Sequence, residues 1–233
     1  MLLSGGIDSA TCLYLSRKKG NLNRALTIRF HGIARGEVRA ATRLARAAGV
    51  EEHRFFSMPE LMEVSDIGSP GRLAALPSTY IPMKNSIYYS VAAAFAEEVG
   101  AERVVGGHNS DDRALFEDTA DVFFREMQKT LRTASARLRE QDFRIWRPLR
   151  TMTKAEVVTL AARLGVPLEM TWSCHREGSA HCWECDGCLQ RERSFRQAGL
   201  RDPLRDGKDR KGIKRVVSGQ IRASREGSGR TDT

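Results

Sequence analysis

Six residues near the start of the chain, Ser4, Gly5, Gly6, Ile7, Asp8 and Ser9, have the types and spacing needed to hold a polyphosphate. The glycines let backbone approach a phosphate with no Cβ in the way. The hydroxyls of Ser4 and Ser9 add donors, and the Asp8 carboxylate can hold the magnesium ion that accompanies a nucleotide. Where such a turn leads from a strand into a helix, unpaired N–H groups and the positive end of the helix dipole face the anion. The stretch lacks the Gly-Lys-Ser/Thr ending of a kinase-type phosphate loop, so no lysine extends from it toward a γ-phosphate. A pyrophosphate cradle fits better than that loop or a frayed serine-glycine terminus. It is expected to use Leu3, Ser4, Gly5, Gly6, Ile7, Asp8, Ser9 and Ala10, with Ser4 and Asp8 as catalytic candidates.

A second chemistry-bearing group lies far downstream. Cys174, Cys182, Cys185 and Cys188 combine two overlapping C-x-x-C steps with one upstream thiol, a set that can close a tetrahedral shell around a metal. In a reducing compartment a metal is the natural use of such thiols, and a closed four-thiolate shell makes it structural zinc. An iron–sulfur cluster or a sulfur-relay pair is the alternative. With four thiolates available, His175 and His181 are expected to stand outside the ligand set. Cys12, the fifth cysteine, reads as a small buried hydrophobe.

The elements that position these groups follow from periodicity. Residues 2–20 read as the end of a strand, a tight loop and a helix stopped by Gly20, with Arg17, Lys18 and Lys19 in its last turn. RALTIRF is a strand, and the next helix carries Val38, Ala41, Ala45 and Ala48 on one face. HRFFSM is a third strand, followed by an irregular loop, SDIGSPGRLAALPST. NSIYYSVAAAFAEEVG predicts a helix opened by Asn85 or Ser86, RVVGGHN a short buried strand, and the stretch from Asp118 to Leu138 a helix. RIWRPL is a strand, and a capping box from Thr153 to Glu156 opens the helix after it. This alternation indicates the α/β class, with a parallel sheet covered by helices on both faces.

Three segments are expected: an ATP-binding α/β domain over 1–167, a four-cysteine zinc-binding segment and helix over 168–203, and a basic tail over 204–233. Of the net charge of +9, residues 201–233 supply more than half, with ten Lys or Arg against five Asp or Glu. So polar a segment cannot bury enough surface to offset its ordering entropy, and disorder is expected there. A solvated tail is favoured over a nucleic-acid arm. No apolar run approaches the roughly 20 residues of a membrane span, and no secretory signal is present, so a cytoplasmic protein is expected.

The S-G-G-x-D-S pattern resembles the signature of the PP-loop ATP pyrophosphatases. Together with IPMKN, GHNSDD followed by FEDT, TKAE, and TWSC with CWECDGC, it resembles the 7-cyano-7-deazaguanine synthase (QueC) family from residue 1 to about Pro203. The resemblance implies a Rossmann-like PP-loop fold and ATP with Mg2+ and Zn2+. It also implies the conversion of 7-carboxy-7-deazaguanine and ammonia to the nitrile precursor of queuosine and archaeosine. It places Pro82, Lys84 and Asn85 at the start of a helix facing the active site, and Phe116 and Asp118 near the deazaguanine, where Asp118 accepts from the purine-like edge.

Taken without the resemblance, Lys84 is equally a solvated helix-cap charge or a phosphate contact, Asp111 and Asp118 can cap the following helix, and Lys154 can touch phosphate but within a capping box is more often just the first-turn lysine. Lys84, Glu117 and His31–Ile33 depart from the residues usual in bacterial members. The expected partners are small-molecule substrates, with no membrane, nucleic acid not required and a homodimer possible. The alternatives are a paralogue that adenylates another acid or attaches a deazaguanine to a macromolecule, and a zinc-ribbon nucleic-acid-binding module.

Overall fold

The computed structural model describes residues 1–20, 24–63, 80–113 and 116–205. The loop expected at 65–79 and all but the first two residues of the 204–233 tail lie outside them. The elements are α1 (Ile7–Lys18), β1 (Arg24–Phe30), α2 (Arg35–Ala47), β2 (Glu52–Met58), α3 (Lys84–Val99) and β3 (Arg103–Val105). They continue with α4 (Ser110–Arg113), α5 (Asp121–Ala134), α6 (Ala136–Glu140), β4 (Arg144–Trp146), α7 (Lys154–Leu164) and α8 (Asp186–Gln197). Short 3-10 turns occupy Glu117–Thr119 and Leu168–Met170.

The strands pair in parallel, β1 with β2 from Arg24↔Glu52 to Phe30↔Met58, and β3 with β4 from Arg103↔Arg144 to Val105↔Trp146. The N-terminal residues join the two pairs. Leu2 donates its amide to Val105, Leu3 donates to Leu26, and Leu26 donates to Met1, so the first segment lies between β1 and β3. It forms only an isolated bridge, Leu2↔Leu26. Residues along the strands alternate between two apolar clusters. Ala25 and Val105 face a cluster with Leu13, Leu44, Val157 and Phe195, while Leu26, Ile28 and Val104 face one with Tyr89, Phe95, Phe124 and Leu131. Helices therefore cover both faces, the expected α/β architecture.

Local differences from the sequence reading have identifiable causes. The helix expected from Asp118 to Leu138 divides because Ser135 adopts an extended conformation and its hydroxyl accepts from the Leu138 amide, capping a new helix. Helix α3 starts at Lys84, after Met83 at φ 57°, so Asn85 lies inside the first turn. β3 stops at Val105 because the chain turns away to run across the start of α1. On α2, Ala41, Ala45 and Ala48 are buried as expected, but Ala40 and Leu44, not Val38, complete the buried face.

Helix α8 is held by a buried charge. The Arg191 side chain is 0% exposed and makes a two-pronged contact with Asp202, at 2.6 and 2.9 Å. Its remaining donors reach Thr171 Oγ1 at 2.8 Å and the Leu168 carbonyl at 3.1 Å. Removing one partner leaves an uncompensated charge in the interior, which costs about 3–5 kcal/mol. Arg191→Ala is expected to lower stability by about that amount in denaturant unfolding; a loss below about 1 kcal/mol would show the pair to be dispensable.

Candidate functional site

The expected cradle lies at the carboxyl edge of the sheet, where Leu3 leads into α1. Leu3, Ile7 and Ala10 turn their side chains into the core, at 1%, 2% and 0% exposure, so they offer the cleft only backbone. Gly5 sits at φ +89°, and a Cβ there would lie 2.6 Å from the Glu37 carbonyl oxygen and 2.7 Å from the Ala41 nitrogen. No side chain fits between the loop and α2. Gly6 caps α1 without a side-chain partner, and helix geometry leaves the amides of Ile7, Asp8 and Ser9 without intrahelical acceptors. The hydroxyls are arranged around the same point: Ser4 Oγ and Ser9 Oγ are 3.2 Å apart, and Ser9 Oγ donates to the Gly6 carbonyl at 3.1 Å. The result is a concave set of donors at the positive end of a helix, suited to an anion.

Asp8 faces a charge cluster that sequence reasoning only partly anticipated. Lys154 Nζ forms a short ion pair with Asp8 Oδ2, and Asn109 Nδ2 donates to Asp8 Oδ1 at 3.4 Å. Asn109 Oδ1 accepts from the amides of Asp111 and Asp112 at 2.8 and 3.2 Å, and the Asn109 amide donates to Asp112 Oδ2 at 3.1 Å. Asp111 Oδ2 accepts from the Lys154 amide at 3.1 Å, so it caps α7 and not the helix that follows it in sequence. The capping box is formed as expected, Thr153 Oγ1 accepting from the Glu156 amide and Glu156 from the Thr153 amide. It fixes the turn from which Lys154 reaches Asp8. Lys154 is thus more than a first-turn lysine; the TKAE motif was the available signal, but the partner is 146 residues away.

Burial, followed by the nearby Asp8 carboxylate, pushes the Asp112 carboxyl up to about 6, against the opposing pull of Lys154. Burial disfavours the Lys154 charge, but Asp8, Asp112 and Asp111 outweigh it and raise its pKa.

The residues expected at the substrate side gather at the start of α3. Asp118 Oδ2 accepts from the Asn85 amide at 3.3 Å, and Asn85 Nδ2 donates to the Asp118 carbonyl at 3.1 Å. Asp118 therefore caps α3, the helix before it, not the one after. Phe116 stacks with Tyr80 at 6.2 Å between centroids and 17° between planes. The Lys84 ammonium lies 5.6 Å from the Tyr88 ring centroid and 6.0 Å from that of Phe30, and its charge acts on Glu37, His108 and His175. It is half-buried, at the side of two aromatic rings. Pro82 is half-buried beside it.

The four expected cysteines converge, their Sγ atoms all within 4.8 Å of one another. Cys182–Cys188 and Cys174–Cys185 are each 3.9 Å apart, close to the roughly 3.8 Å edge of a tetrahedron with 2.3 Å metal–sulfur bonds. Backbone amides of Cys182, Cys185 and His175 point at Cys174, Cys182 and Cys185 Sγ, at 3.5, 3.3 and 3.5 Å. This donor set fits a metal. His181 accepts from the Ser173 amide at 3.0 Å and lies against the Trp172 ring, outside the ligand set. Cys12 is fully buried and burial pushes its thiol far up, the state of an inert hydrophobe.

Trp172 straps this segment to the glycine-rich loop. Its amide donates to the Gly5 carbonyl at 2.9 Å, its indole N–H donates to the Cys174 carbonyl at 2.7 Å, and its ring covers Gly36. The loop and the thiol cluster therefore share one anchor.

Because Lys154 holds Asp112 down, Lys154→Met is expected to move the Asp112 carboxyl further above about 6 in the metal-free protein. A carboxyl carbon NMR titration would follow it; an unchanged or lower midpoint would contradict the cluster described here.

Comparison with known proteins adds to this geometry. The family described as "Queuosine biosynthesis protein QueC" matches residues 1–199. The 7-cyano-7-deazaguanine synthase of Rhizorhabdus wittichii is 37% identical, covering 87% of this chain and 93% of its own length. That of Thermoplasma acidophilum is 34% identical, covering 88% and 90%. The structure of NMN synthetase from Francisella tularensis aligns with 100% of this chain and 87% of its own at a TM-score of 0.47 and 17% identity. With a family match that runs from the glycine-rich loop through the four cysteines, this chain belongs to the QueC family of queuosine biosynthesis proteins.

Proposed function

We propose that this chain is a 7-cyano-7-deazaguanine synthase, an ATP-dependent ligase that converts 7-carboxy-7-deazaguanine and ammonia to the nitrile. The observation that carries this reading is the family match over residues 1–199, which spans the donor-lined turn and the thiol cluster together. A carboxylate oxygen is a poor leaving group, and transfer of an adenylyl group makes the departing species AMP. The amides of α1 and the hydroxyls of Ser4 and Ser9 would hold the pyrophosphate as its charge develops. Magnesium, bound at Asp8, would add positive charge between carboxylate and phosphates. Lys154 balances Asp8 and Asp112 on the other side.

On the substrate side, Phe116 supplies an aromatic face, Lys84 a positive charge, and Asn85 and Asp118 a braced polar pair at the start of α3. The amide formed first is activated at its oxygen by a second ATP and loses that oxygen with AMP. Zinc in the four-thiolate site would be structural, with no position open to water. The proposed setting is the cytoplasm, with small molecules as substrates.

Incubation with ATP, ammonium and 7-carboxy-7-deazaguanine is expected to release pyrophosphate only when the acid is present and to give the nitrile mass. Asp8→Ala and Ser4→Ala should each lower turnover by about 10²–10³-fold; unchanged turnover in either would rule out the assigned cradle. Metal analysis should find about one zinc per chain in a colourless protein, and a brown preparation would move the assignment to an iron–sulfur cluster.

A further inference from the structure

Trp172 packs with the thiols and not with either main apolar cluster. It is 7% exposed and forms a separate small cluster with Ala40, Cys174 and Cys188, against which Cys182 and Cys185 also pack. Its indole N–H donates to the Cys174 carbonyl at 2.7 Å, so the ring is oriented by the first thiol-bearing residue. On the far side the ring lies on the first turn of α2, where a Cβ on Gly36 would come within 2.3 Å of it. Behind it, a Cβ on Gly187 in the first turn of α8 would fall 2.1 Å from the Ser173 carbonyl oxygen. The chain at Trp172 and Ser173 is held between two helix starts at van der Waals distance.

The backbone of the same residue reaches the glycine-rich loop. The Trp172 amide donates to the Gly5 carbonyl at 2.9 Å. Among the described residues this is the hydrogen bond from the thiol segment to the loop; Glu177 and Gly178 accept instead from the Arg35 amide and the Arg39 guanidinium, on α2. A peptide unit is planar, with its C=O and N–H pointing opposite ways, so the bond that fixes the Gly5 carbonyl also fixes the Gly6 N–H. That N–H points toward Ser4 Oγ, 3.4 Å away, and Ser4 Oγ in turn lies 3.2 Å from Ser9 Oγ. Trp172 therefore aims one of the donors of the cradle while its indole reads the position of Cys174.

We propose that Trp172 is a positioning residue that couples the two sites, so that metal in the thiol shell and nucleotide in the cradle each raise the affinity for the other. The proposal rests on the nucleotide reading of the cradle given above. Drawing four Sγ atoms onto one centre fixes Cys174, and with it the acceptor of the indole. Trp172 then holds the Gly5–Gly6 peptide with its carbonyl toward the thiol segment and its N–H toward the phosphate side. Coupling between two sites is reciprocal, so nucleotide must tighten the metal by the same factor by which the metal tightens the nucleotide.

The test uses the full zinc-loaded chain with magnesium–ATP and no acid substrate. Zinc affinity is read by equilibrium competition with a chelator, with and without saturating ATP, and nucleotide binding by calorimetry. Wild type is expected to hold zinc tighter by about fivefold or more when ATP is bound. Trp172→Phe keeps a ring beside Gly36 and the amide to Gly5 but loses the indole donor to Cys174. It should still bind both ligands, with ATP changing its zinc affinity by less than about twofold. Both proteins are measured in the same mixture, so zinc taken by free nucleotide cancels. A residue that only filled space would lower both affinities and leave the ATP-induced ratio as in wild type. Gly36→Ala, whose methyl group displaces the ring, gives the same reading from the other side of the contact and serves if Trp172→Phe does not fold. Equal zinc affinity with and without ATP in wild type, or the full wild-type ratio in these variants, would overturn the proposal. A wild-type protein that binds no ATP would remove the nucleotide reading and this inference with it, whereas ATP binding without coupling would remove the inference alone.

Discussion

The left-handed turn at Gly5 brings three parts of the chain to one point. Its Cα rests against the backbone of α2 at Glu37 and Ala41, with room for hydrogen only. Its carbonyl accepts the Trp172 amide, whose indole is bonded in turn to Cys174. Any side chain at this position would push the loop from α2, and a different carbonyl direction would release the thiol segment. The glycine-rich turn and the metal-suited cluster are therefore joined by a shared backbone contact, which gives the cluster a mechanical bearing on the turn although it lies far away in sequence.

Around that turn the charges fall into two sets. Asp8, Asp112 and Asp111 surround Lys154 on one side, a net-negative group suited to a divalent cation. On the other, Lys84 stands against the Phe30 and Tyr88 rings at the start of α3, where the Asn85–Asp118 pair is braced.

Much of the framework was legible in the sequence because it depends on local geometry. The parallel α/β alternation, the turn from Leu3 into α1 and the Thr153–Glu156 capping box require only neighbours a few residues apart, and each forms. Periodicity failed where a local hydrogen bond competed with it, as at Ser135, where the hydroxyl caps a new helix and divides the expected one. It also failed where the chain leaves the sheet to cover the loop, cutting β3 short at Val105. For Asp111 and Asp118 the sequence suggested caps, correctly in kind, but the capped helices are α7 and α3, chosen by proximity in space.

The sequence by itself determined the chemical inventory: two glycines between serines ahead of an aspartate, and four thiols whose spacing lets them close around one ion. Those properties come from residue type and short-range chain geometry. Only the tertiary structure decided that Lys154 pairs with Asp8, that Trp172 fastens the thiol segment to Gly5, and that Lys84 shares its field with Glu37. Such pairings depend on how helices on a twisted sheet bring distant side chains into the same low-dielectric space, and no spacing rule along the chain encodes that.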